Sequence, residues 1–255
     1  ITVKLASPHV VAAFDGYPTG GGAFLALEYC SGGTLDQLLL ERGQLPLERS
    51  YQLILEVAQG LAHTHEHSVL HRDVKPANVL LTDGTARHAK LTDFGIARGQ
   101  DDHQLTRTGM VSGTAAFFSP ELAQGQDPST ASDVWALGAT LHTLLTGSGP
   151  FSGDRDESPA ATIARVLGGE VPPLPPSVPT EVATLVRACL AADPATRPQS
   201  AAAVVAALQG IQAGRGLPVT AAVATRSSTP SSAAPDAPTV VEDGVDPPTI
   251  RSTGP

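Results

Sequence analysis

Cysteine is scarce in this sequence, and that excludes one class of protein at once. Cys30 and Cys189 are the two in 255 residues, far apart and each in apolar surroundings. They read as buried free thiols of a reducing compartment rather than as a disulfide or a metal pair. No run of about 18 apolar residues occurs, so nothing in the chain is read as a membrane span, and no signal-peptide pattern is present. A cytoplasmic location is expected. Basic residues are also few, with 16 Lys and Arg against 25 Asp and Glu and a net charge of -9. That balance argues against a general nucleic-acid binder, which needs clustered cations to neutralise phosphates. Apolar residues are plentiful, at 41% against 16% charged. This is the composition of a globular protein with one large domain or two small ones.

Composition changes near Gly214. Beyond it Pro218, Pro230, Pro235, Pro238, Pro247, Pro248 and Pro255 are mixed with Ser, Thr, Ala and Gly, without apolar periodicity. Such a segment buries too little surface to offset its chain entropy and is expected to be a disordered tail. Before it, Phe24–Tyr29 follows a Gly20-Gly21-Gly22 turn and reads as a buried strand. Between Leu47 and His67, Ile54, Ala58, Leu61 and His65 fall on one helical stripe. A second helix is expected from Ser132, as N-cap, to Gly147. Ser158-Pro159 opens a third that Gly168-Gly169 closes. Two more are expected at about 180–192 and 199–209, parted by Asp193-Pro194. Strands are few and early, and helices dominate the rest.

Three motifs follow in order: His71-Arg72-Asp73-Val74-Lys75-Pro76-Ala77-Asn78, Asp93-Phe94-Gly95 and Ser119-Pro120-Glu121. Each alone is a common string. Together, with an Asp five residues before an Asn, they have the order and spacing of a protein kinase's catalytic loop, metal-binding loop and Ala-Pro-Glu site. The chain resembles a bacterial Hanks-type (eukaryotic-like) serine/threonine kinase from about Ile1 to Gly210. The resemblance implies an α+β, protein-kinase-like fold, mainly the helical large lobe with a partial small-lobe sheet. The expected divisions are a small-lobe remnant at 1–29, the large lobe at 30–211 and the tail at 212–255.

The implied chemistry is transfer of the γ-phosphate of ATP to Ser or Thr of protein substrates, a reaction governed by positioning and charge neutralisation. Asp73 is expected to orient the substrate hydroxyl and Lys75 to stabilise the transferring group. Asn78 and Asp93 are expected to supply the oxygens that a hard Mg²⁺ (or Mn²⁺) ion wants. Leu27-Glu28-Tyr29-Cys30 resembles the gatekeeper and hinge, which implies that the Glu28 carbonyl and Cys30 amide read adenine. Asp133 is similar to the buried Asp that braces the catalytic loop, and Glu121 and Arg197 look like the large-lobe ion pair. Lys75 with Thr114 resembles serine/threonine rather than tyrosine kinases. Arg72 beside Asp73 implies control by phosphorylation of the activation loop, with Thr106 and Thr108 the first candidates and Ser112 a weaker one. A plain solvated loop stands beside that reading.

Other features are less productive. His63, His65 and His67 suggest a metal site, yet His65 faces away from the other two on a helix and no carboxylate or Cys completes a set. Ile1-Thr2-Val3-Lys4 imitates the strand that bears the ATP-binding lysine, but the first glutamate is Glu28 and three residues separate Lys4 from Pro8, too few for a helix. Lys4 is expected to end the regulatory helix instead. A glycine-rich loop and a lysine–glutamate pair are not found. Either the sequence is a piece of a longer kinase, which its Ile1 start and intact catalytic set favour, or it is a catalytically inactive kinase-like interaction module. The tail repeats Asp236-Ala-Pro238-Thr239-Val240 as Asp246-Pro-Pro248-Thr249-Ile250. That repeat is either a dock for phosphothreonine-reading domains or low-complexity sequence. In the family such tails often lead to a membrane span.

Overall fold

The long apolar stripe around Ile54 sets the centre of the structure. A computed structural model of the chain describes residues 5–19, 22–83, 88–94, 115–153 and 157–221, all within one unit spanning residues 1–225. Two antiparallel strands come first, β1 (Ala13–Thr19) and β2 (Gly22–Leu27), paired from Ala13↔Leu27 to Thr19↔Gly22 with an irregularity between Ala13 and Asp15. Residues 20 and 21 of the expected turn lie outside the described residues. Helices α1 (Leu35–Arg42) and α2 (Leu47–Glu66) follow. A 3₁₀ turn at Pro76–Asn78 leads into β3 (Val79–Leu81), which pairs antiparallel with β4 (Ala89–Leu91). The remaining α-helices among the described residues are α3 (Pro120–Ala123), α4 (Thr130–Thr146), α5 (Pro159–Gly168), α6 (Thr180–Cys189) and α7 (Ala201–Gly214).

Helix α2 packs on α4, α7 and β4. Leu53, Ile54, Leu55, Val57, Ala58 and Leu61 are all fully buried there, and each of the Leu, Ile and Val side chains contributes about 1.5–3 kcal/mol relative to exposure. Gly60 lets the preceding chain come close: a Cβ at that position would stand 2.4 Å from the His9 carbonyl oxygen. The close approach sets His9–Val11 alongside β4, where Leu91 N donates to His9 O at 2.9 Å and Val11 N donates to Leu91 O at 2.8 Å. The residues before the hinge are thereby joined to the strand that leads to Asp93.

Four expectations need correcting. The N-cap of α4 is Ser129, not Ser132: Ser129 is extended and accepts from Ser132 N, while Ser132 Oγ accepts from Ser129 N at 2.8 Å. The reciprocal pair starts the helix three residues earlier. The strand read as buried at Phe24–Tyr29 is Gly22–Leu27, and it is not buried: Leu25 is 50% exposed and Tyr29, past its end, 87%. Cys30 is half-buried rather than buried, whereas Cys189 is buried and its thiol is pushed up to about 12 by that burial. Finally, the boundary expected at 211/212 falls inside α7, and the chain folds back beyond it. Gln212 Nε2 donates to Thr220 Oγ1, Thr220 N donates to Gln212 Oε1, and Gln59 Nε2 donates to the Ala221 carbonyl. Proline and small polar residues there carry no periodicity for a sequence to reveal, and the order comes from contacts with α2 and α7.

Candidate active site

The segment from His71 to Asn78 is built around one carboxylate oxygen. Lys75 Nζ lies 2.9 Å from Asp73 Oδ2, and Asn78 Nδ2 donates to the same oxygen at 2.9 Å and to the Asp73 carbonyl at 2.8 Å. The 3₁₀ turn opened by Pro76 brings Asn78 back to Asp73. Because the amide nitrogen of Asn78 is committed to Asp73, its amide oxygen is the atom left to serve a cation. Asn78 O accepts from Thr92 N at 3.0 Å, tying the loop to the residue before Asp93. Asn78 and Asp93 thus offer oxygen donors, the set a hard divalent ion takes. No group of three or more His, Cys, Asp or Glu suited to a metal occurs among the described residues.

The backbone here is strained. Arg72 and Asp93 have φ of 68° and 55°, a left-handed conformation that costs non-glycine residues free energy and persists where surroundings over-determine it. Asp133 supplies that constraint for Arg72. Buried in the first turns of α4, it accepts from His71 N at 2.9 Å and Arg72 N at 2.8 Å, and His65 Nε2 meets it at 2.8 Å. His71 spans the two loops: Asp73 N donates to its Nδ1 at 3.3 Å, so Nε2 carries the hydrogen and donates to Thr92 O at 3.0 Å. Burial pushes the imidazole below its ordinary range despite the nearby carboxylates, which fits this neutral form. Phe94 packs against the His71 ring with centroids 4.6 Å apart.

Farther out, Arg197 and Glu121 form a two-bonded pair at 2.6 and 2.8 Å. The guanidinium is fully buried, also donates to the Ala131, Ala191 and Ala192 carbonyls, and lies 4.9 Å over the Trp135 ring. Burial alone would push the Glu121 carboxyl up, but the Arg197 bonds and charge outweigh it and hold the group below the usual carboxylate range.

On the hinge side, Leu27 ends β2 and Glu28 N donates to Ala12 O at 2.8 Å, the last bond of that ladder. The Glu28 carbonyl and the Cys30 amide come after it. The Glu28 carboxylate takes Lys90 Nζ at 2.7 Å and Ala12 N at 3.1 Å, and these two partners lower its pKa against the upward push of burial. Lys90 went unnoticed in the sequence, though a lysine between Ala89 and Leu91 is a cue. Glu56 was missed as well, despite being the one charge within Leu53–Ala58. Thr106, Thr108, Ser112 and Thr114 lie outside the described residues, as do Lys4 and the tail repeat. Of the three helical histidines, His65 turns to Asp133 while the His63 and His67 rings meet at 4.5 Å, as their spacing requires.

The protein kinase domain family matches residues 1–208, and the chain belongs to that family, on its bacterial Hanks-type branch. It is similar to the serine/threonine-protein kinase PknA of Mycobacterium tuberculosis, at 38% identity over 77% of this chain and 44% of that protein. PknA of Corynebacterium glutamicum is 35% identical over 88% of this chain and 48% of its own length, and PknB of Mycolicibacterium smegmatis 35% over 92% and 36%. The chain therefore spans less than half the length of these relatives. The family uses ATP, a divalent ion and protein substrates. No helix among the described residues is long and apolar enough to cross a membrane.

Proposed function

We propose that the protein is a serine/threonine protein kinase, transferring the γ-phosphate of ATP to hydroxyls of protein substrates and of its own activation segment. The observation that carries this is the convergence of Lys75 and Asn78 on Asp73 Oδ2, with Asn78 hydrogen-bonded to the chain entering Asp93. In this reading Asp73 accepts the hydrogen bond of the substrate hydroxyl and aims it, while Lys75 moves from Asp73 to the transferring phosphoryl oxygens. Asn78 and Asp93 hold Mg²⁺ or Mn²⁺, which neutralises phosphate charge when bound. Glu28 and Cys30 read adenine through their backbone, with Leu27 as the side chain bordering it.

The division at the hinge, with 1–29 a part of the small lobe and the large lobe from residue 30, belongs to this reading. So does control through Arg72, which is suited to pair with a phosphate on Thr106 or Thr108, and so does the reading of Lys75 with Thr114 as a serine/threonine-type feature. The tail threonines Thr239 and Thr249, once phosphorylated, would suit a phosphothreonine-reading domain, and a cytoplasmic catalytic domain follows from the use of ATP. The test is phosphate transfer from Mg-ATP to a serine/threonine peptide library by the full-length protein and by Asp73→Asn. Loss of an aligning base typically costs 10²–10⁴-fold, and a fall of about that size is expected. A wild type without transfer, or an Asp73→Asn variant equal to it, sinks the proposal.

A further inference from the structure

We infer that Glu56 is a positioning residue: its buried carboxylate holds β4 and, through β4, sets Asp93. This rests on the phosphoryl-transfer reading above. On one edge β4 pairs with β3 from Val79↔Leu91 to Leu81↔Ala89. On the other edge Leu91 exchanges its bonds with His9 and Val11. Two residues back along that edge, the Ala89 N–H is met not by a strand but by Glu56 Oε2, at 2.7 Å. The other oxygen, Oε1, takes His88 Nδ1 at 3.0 Å and Gln52 Nε2 at 3.2 Å, and the Ala89 carbonyl faces His9 Nδ1 at 3.3 Å. One carboxylate thus stands in for the missing continuation of the His9–Val11 segment.

The location is costly for a charge. Glu56 is 2% exposed, and Leu53, Ile54, Leu55, Val57 and Ala58 around it are fully buried. Helix packing alone would be served by leucine, so a buried carboxylate points to a need for an acceptor. What it serves lies four residues on. The Asp93 side chain is exposed and its backbone is at φ 55°, so its direction depends on the chain entering it. That chain is pinned at Ala89 by Glu56, at Leu91 by His9 and at Thr92 by Asn78. Residues that orient a metal ligand typically change metal affinity 10–100-fold when lost.

The experiment compares Glu56→Gln, which keeps an oxygen acceptor, with Glu56→Leu, which does not, in the full-length protein with Asp93→Asn alongside. Without metal, hydrogen exchange of the Ala89 amide should speed up about ten-fold or more in Glu56→Leu and stay protected in Glu56→Gln. In transfer assays Glu56→Leu should raise the half-saturating Mg²⁺ concentration about ten-fold, with KM for the peptide substrate within about two-fold of wild type. Glu56→Gln should lie within about three-fold of wild type on both measures. If Glu56→Leu does not fold, Glu56→Ser, too short to reach Ala89, is held to the same outcomes. Unchanged Mg²⁺ dependence with a lower melting temperature alone, or Glu56→Gln as impaired as Glu56→Leu, overturns the inference. A wild type no more active than Asp93→Asn overturns the phosphoryl-transfer reading, and this one with it.

Discussion

The catalytic loop and the β1–β2 hairpin are held by opposite means. Around Asp73 the backbone is tied by buried side chains that bridge long stretches of sequence, Asp133 to Arg72 and His71 to Thr92, and farther out the buried Arg197 is paired with Glu121. In the hairpin the bonds are ladder bonds, and among its described side chains Phe14 is 67% and Leu25 50% exposed. The left-handed φ at Arg72 persists where Asp133 takes its N–H, and that at Asp93 follows a residue tied by His71 and Asn78. Glu28 is held by a partly exposed ion pair with Lys90 and by two bonds with the Ala12 backbone. Geometry needed for chemistry thus sits where removal of one partner leaves a buried charge or amide without its bond.

The sharpest way to break this contrast is Arg197→Ala. It strands a buried carboxylate, and a loss of about 3–5 kcal/mol is expected in urea unfolding. The acid limb should change as well. The Glu121 carboxyl titrates lower in the folded protein than its ordinary 4.5, so its contribution is present above about pH 4.5 and is lost as pH falls through the folded value. In Arg197→Ala the urea midpoint should fall less steeply on acidification, and an acid limb as steep as wild type's counts against the pairing. Next comes Asp133→Asn, which turns one of two acceptor oxygens into a donor facing a backbone N–H. About 1–3 kcal/mol is expected, together with faster exchange of the His71 and Arg72 amides. On the hinge side, Lys90→Ala should cost under about 1 kcal/mol, as a partly exposed pair does. A larger loss would put the Glu28–Lys90 pair in the same class as the buried Glu121–Arg197 pair. Phe14→Ser should leave stability within about 0.5 kcal/mol by thermal unfolding. A clear loss there would mean that Phe14 is covered in solution.

Legibility followed the range of the interaction. The stripe on α2, the Ser158 cap with Pro159 and the closing Gly147 and Gly169 are local signals, and they marked their helices to within a few residues. Ser129 escaped because Ser132 offers the same cap chemistry three residues later, and only the reciprocal bonds decide between them. Helical spacing separates His65 from His63 and His67, but its contact with Asp133, 68 residues away, carries no local trace. Glu56 and Lys90 each stood out as a charge among apolar neighbours, a cue without a partner.

By itself the sequence determined the helical character of the chain and its kinase motifs, because periodicity, caps and motif spacing are properties of neighbours. Tertiary structure alone decided that Asp133 and His71 hold two left-handed residues in place, that Glu56 completes the edge of β4, and that residues 215–221 turn back onto α2 and α7. Each depends on which distant donor meets which acceptor once the core has closed, and that pairing is written in the packing rather than in any short stretch of residues.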